Sequence, residues 1–68
     1  MSMQAEELKK YIDKPVLHFD RRYHEKSIFL LKAVKLDKER GVPYAVLKDR
    51  EHDSYMRARV EDIGVVSE

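Results

Sequence analysis

At 68 residues the chain has room for one domain and a small core. With 14 Lys plus Arg against 13 Asp plus Glu, its formal charge of +1 excludes a global electrostatic pull toward nucleic acid or membrane. There is no Cys, which excludes a disulfide scaffold, thiolate catalysis and cysteine-ligated zinc. No apolar run approaches the roughly 18 residues of a membrane span, and the start MSMQAEELKK lacks the apolar stretch of a secretory signal. A soluble cytoplasmic protein with no membrane partner is the expectation.

Residues 1–14 read as an N-terminal helix. Ser2 is placed to cap it, Glu6 and Glu7 sit near its positive end, and Lys9 and Lys10 sit near its negative end. Ala5, Leu8, Tyr11 and Ile12 fall on one face at three-to-four spacing, and Pro15 stops the helix. PVLHF, Pro15 to Phe19, reads as a short strand, and DRRYHEK, Asp20 to Lys26, as a long polar loop.

SIFLLKAVKL, Ser27 to Leu36, is the most apolar stretch and the hardest to orient. Alternation that turns Ile28, Leu30, Val34 and Leu36 inward turns Phe29, Leu31, Ala33 and Lys35 outward, and strands Lys32 on the inward side. That misfit predicts a β-bulge near Lys32 or a strand bent so sharply that its halves serve different sheets.

Leu36 and Val42 flank DKERG, where Gly41 occupies the position of a tight hairpin that needs positive φ. Folding the next turn about Glu51 sets Val46 opposite Met56, Tyr44 opposite Ala58 and Val42 opposite Val60, all apolar. Val34, Val42, Tyr44, Val46, Met56, Ala58, Val60 and Ile63 are therefore the expected core. EDIG reads as one helical turn that leads into a last strand, Gly64 to Val66.

Five short strands, a long first loop, two tight hairpins and a one-turn link before the last strand make a mainly β order. Over residues 15–66 it resembles the SH3-like small five-stranded barrel, here preceded by a short N-terminal α-helix and followed by a tail, residues 67–68. The resemblance implies a fold and little about activity, since small barrels host peptide binding, nucleic-acid binding and oligomerisation alike.

The expected register leaves Phe29, Leu31, Leu47 and Tyr55 as apolar anchors on the outer face, with Arg57 and Arg59 as their rim. Barrel curvature, docking of the N-terminal helix over Phe29, Leu31 and Leu47, or a second chain would each cover such a face. The favoured expectation is a small non-catalytic protein-interaction or adaptor module that self-associates as a homodimer. The alternative is a nucleic-acid-binding regulatory protein that uses an Arg and Tyr face, with contacts from Arg21, Arg22, Tyr23, Lys26 and Lys35. A third is a small enzyme whose site is shared between subunits.

Catalysis has little support in the sequence. None of Ser2, Ser27, Ser54 and Ser67 sits in a glycine elbow, and with Gly41 and Gly64 the only glycines there is no phosphate-binding loop. His18, Asp20 and His24 lie close together without the spacing of the strong zinc classes. No catalytic residue, metal, cofactor or small-molecule substrate is expected.

Overall fold

The computed structural model describes residues 4–66. The expected cap Ser2 and the tail at 67–68 lie outside them. Helix α1 (Ala5–Leu8) continues into a 3-10 turn, Lys9–Tyr11. Five strands follow: β1 (Pro15–Asp20), β2 (Glu25–Asp37), β3 (Val42–Lys48), β4 (Tyr55–Arg59) and, after a second 3-10 turn at Val60–Asp62, β5 (Ile63–Val65). They form one antiparallel sheet in the order β4-β3-β2-β1-β5, which leaves β4 and β5 as its two edges. The protein is thus mainly β with a short N-terminal helix, and the sheet is not closed. No helix is long and apolar enough to cross a membrane among the described residues.

The helix ends where Asp13 takes a positive φ of 70°. Its N–H donates to the Leu31 carbonyl at 2.6 Å, and the Leu31 N–H donates to the Lys14 carbonyl at 3.1 Å. These two bonds seat the helix on the middle of β2. Leu8 is fully buried and joins the cluster of Val16, Leu31, Ala45, Leu47, Ala58, Val60 and Ile63, with Ala5, Tyr11, Phe29, Val34 and Met56 packed against it. So short a helix is unstable alone, and burying a side chain such as Leu8 contributes roughly 1.5–3 kcal/mol. Ile12, expected in the apolar stripe, lies beyond the contact and is exposed.

The bulge expected at Lys32 is present. Leu31 pairs with Leu47 and Ala33 with Val46, so Lys32 is the extra residue of β2. Its effect is to turn Leu31 and Ala33 to opposite faces although they are two apart. The inward residues before the bulge are Phe29 and Leu31, and Ile28 and Leu30 face outward, the reverse of the expectation. After the bulge Val34 lies on the core side as expected, while Leu36 is exposed at the far end.

The β3–β4 register also differs from expectation, by one residue. Leu47 pairs with Met56, Ala45 with Ala58, Val46 with Arg57 and Tyr44 with Arg59. Strand β4 keeps its expected inward residues, Met56 and Ala58, but β3 is reversed: Ala45 and Leu47 are buried, and Val42, Tyr44 and Val46 leave the core. The cause is the turn. The Asp49 N–H donates to the Ser54 carbonyl, and Asp49 Oδ1 accepts the backbone N–H of Glu51 at 2.8 Å and of His52 at 3.3 Å. These bonds close a loop that runs from Asp49 to Ser54 instead of pivoting on Glu51, and turn length sets register.

Two further points bear on the surface. The long polar loop expected after β1 is a tight hairpin, with Asp20 paired to Glu25 across only Arg21–His24. At the next hairpin Gly41 has the positive φ expected of it, 68°, and its N–H donates to the Asp37 carbonyl.

Candidate functional site

Residues directly opposite in an antiparallel pair share a face, so the register assigns the whole outer surface of the sheet. One row across β2, β3 and β4 is Lys35, Tyr44 and Arg59; the next is Ala33, Val46 and Arg57; a third is Leu30, Lys48 and Tyr55. Arg57 stacks over the Tyr44 ring, 5.1 Å from its centroid. Tyr55 is 58% exposed. The rows of Tyr44 and Tyr55 are four residues apart along β3, about 13 Å. Two aromatic rings and four cations therefore occupy one sheet surface.

The charge balance of that surface is far from the balance of the chain. Among the described residues its strands carry Lys26, Lys35, Lys48, Arg57 and Arg59 outward, against Asp37 alone. Most of the acidic residues are spent elsewhere, in the helix, the turns and the 3-10 link. Arg59 reaches Glu61 at 3.7 Å and Lys48 reaches Asp53 at 3.9 Å, both long contacts at the margin of the sheet. Lys35 and Arg57 have no carboxylate partner among the described residues.

An open groove continues from this surface along the β4 edge, between the helix start at Ala5, the hairpin residues Val42 and Pro43, and Arg59 and Val60. Tyr44 and Arg57 form its shared wall with the sheet face. Strand β4 offers the groove an unpaired backbone edge.

The residues expected at a protein interface divide. Tyr55, Arg57 and Arg59 are exposed and lie together on the outer face. Leu31 and Leu47, at 0% exposure, and the half-buried Phe29 do not belong to that face; they are core in contact with the helix cluster. The expectation that they anchor a partner is corrected by the bulge and the one-residue register shift. Docking of the helix is what covers them.

The expected nucleic-acid contacts divide too. Lys35 lies in the cationic row beside Tyr44. Lys26 is at the other end of the outer face, opposite Phe19. Arg21 is turned to the 3-10 link, bonded to Asp62 at 2.8 Å and near Glu61 at 3.7 Å, so the local charge there is neutralised. Arg22 lies over the Tyr23 ring in the β1–β2 hairpin, away from the cationic rows. Tyr44 and Lys48 are absent from the residues expected from the sequence, Tyr44 because the expected register places it in the core. The signal that would have found it is Asp49 as the capping residue of the turn.

His18 meets Phe29 edge to face and His24 meets Phe19 in the same manner. Asp20 Oδ1 accepts the Arg22 backbone N–H. Among the described residues no group of three His, Cys, Asp or Glu is placed to hold a metal ion. Comparison with family profiles, curated proteins and solved structures gives no match to the chain.

Proposed function

We propose that the chain is a small non-catalytic binding module of the SH3-like barrel type, and that its ligand is single-stranded nucleic acid laid across the outer face of β2, β3 and β4. The strand order, the bend of β2 at Lys32 and the 3-10 turn before the last strand support the barrel reading. The observation that carries the functional reading is the row Lys35, Tyr44, Arg59 with Arg57 stacked on the Tyr44 ring.

Such a row does two things for a strand of nucleic acid. The cations take phosphates, a contribution that falls as salt rises, and the rings take unstacked bases at about 1–3 kcal/mol each. A duplex hides its bases from a sheet surface and would gain only the first. Burial of Leu31 and Leu47 removes the apolar centre that a protein interface needs and leaves its arginine rim, which shifts the balance from a protein partner to a polyanion.

Fluorescence anisotropy with labelled single-stranded DNA and RNA, over a range of salt, tests this. Binding should weaken with salt, and Arg57→Gln or Arg59→Gln should each lower the magnitude of the salt slope by about 1. Equal affinity for polyglutamate would remove the base-stacking part of the reading, and no binding at low salt would remove all of it.

A further inference from the structure

The outer face of the sheet has a second half with a different character. Before the bulge it consists of Pro15, Leu17 and Phe19 on β1, with Ile28 and Leu30 beside them on β2. Leu17 lies directly between Ile28 and Gly64, which is its partner on the edge strand β5. Ile28 is exposed, and Leu17, Phe19 and Leu30 are only half-buried. Among the described residues the helix does not cover this patch, and its contacts are with the opposite face.

Gly64 has no backbone reason to be glycine. Its φ is not positive, and among the described residues a Cβ built there would meet only the Leu17 Cβ, at 4.0 Å, an ordinary contact. In a strand a glycine weakens pairing and leaves no side chain to pack, so it marks places where another backbone approaches closely. Here the open flank it creates is on the apolar patch, beside Leu17.

We infer that this patch, Leu17, Phe19, Ile28 and Leu30 with the open flank at Gly64, is where a second copy of this chain docks. Charge decides the occupant. The far half, with Lys35, Arg57 and Arg59, would oppose like charges if it met itself, and so requires an anionic partner. The patch has no charged side chain at its centre, and its margins carry both signs: Lys26 opposite Phe19, Lys48 opposite Leu30 with Asp53 3.9 Å away, and Asp49, Arg50 and Glu51 beside Ile28. An apolar centre with a rim of both signs allows opposite charges to meet across a twofold axis, where each surface must fit its own copy, whereas a rim of one sign does not. The dimer would leave the rows of Lys35, Tyr44 and Arg59 and of Ala33, Val46 and Arg57 open on both copies.

The inference stands apart from the nucleic-acid reading and is tested on the full chain without nucleic acid, by sedimentation velocity over a range of concentrations. The chain should shift from monomer toward dimer as concentration rises. Ile28→Asp places like charges against each other across the axis and should weaken dimerisation by roughly tenfold or more. Gly64→Val fills the open flank and should weaken it too, while the melting temperature of the variant, read where it is monomeric, should be no lower, since Val suits a strand better than Gly. Arg57→Gln should leave association unchanged. A chain that stays monomeric at every concentration overturns the inference, as does dimerisation that survives Ile28→Asp or is lost in Arg57→Gln. If Gly64→Val unfolds, that glycine serves the monomer, and the inference fails with it.

Discussion

Lys32 Nζ donates to Asp13 Oδ1 across 2.8 Å, and the bond joins the bulged residue of β2 to the left-handed residue that ends the helix. The β-bulge and the left-handed turn after the helix thus meet at one point. The bulge turns Leu31 toward the core, and the backbone bonds between Asp13, Lys14 and Leu31 lay the helix over it.

Asp13 is suited to that point by its backbone as much as by its charge. Asp13→Gly should be tolerated, whereas Asp13→Val forces a branched side chain into the left-handed region at about 1–2 kcal/mol. Chemical denaturation of the two variants beside the parent chain separates the cases. Equal stability of both would show that the positive φ is not retained in solution.

The hydrogen bond and charge of Asp13 hold the Lys32 ammonium above the ordinary lysine range. A raised folded-state pKa means the pair stabilises the fold fully below the unfolded lysine value and ceases to do so as pH rises through the folded one. The stability difference between the parent and Lys32→Met should therefore be present at neutral pH and fade in strong alkali. It should shrink in salt as well, because the pair is exposed.

Neighbouring residues of β3 should respond in opposite ways to the same change. Leu47→Asp buries an unpaired charge and should prevent folding, and Leu47→Ala should cost about 2–5 kcal/mol. Val46→Asp, on the outer face, should leave a folded protein with a modest loss. Circular dichroism and thermal melting decide it, and the reverse order would restore the register centred on Glu51.

Leu8 is the helix's one fully buried side chain among the described residues. Leu8→Ala should lower stability by about 2–5 kcal/mol, a large loss for so small a domain, and expose apolar surface over Leu31 and Leu47 that a hydrophobic dye reports. Unchanged stability would mean the helix is not seated on the sheet.

The backbone N–H of Glu51 holds the Asp49 carboxyl below its ordinary value. A depressed pKa contributes stability that is present above the unfolded carboxylate value and is lost as pH falls through the folded one. Amide exchange of Glu51 and His52 should therefore stay protected in mild acid and lose protection at lower pH, before the core amides of Ala45 and Leu47. Simultaneous loss would show that the turn does not open separately.

Much of the fold was legible in the sequence by itself. The helix, its apolar contact through Leu8, the bulge at Lys32, Gly41 at positive φ, the inward residues of β4 and the short turn before β5 all follow from local patterns of three to seven residues. Periodicity and turn chemistry act over that range, and the charges of Arg57 and Arg59 could be placed together on one strand for the same reason. Only the tertiary structure decided which face of β3 is the core. Val42, Tyr44 and Val46 alternate as regularly as Pro43, Ala45 and Leu47, so both parities are apolar, and a side-chain period of two leaves the choice to one residue of turn length. Asp49 makes that choice through backbone bonds whose strength a hydrophobic pattern does not contain. It places Tyr44 outside, beside Lys35 and Arg59, and Leu47 inside, under the helix. The apparent mixture of charges along the chain is resolved in the same way, since acids in turns and cations on strand faces are neighbours in sequence but are separated in space once the sheet is paired.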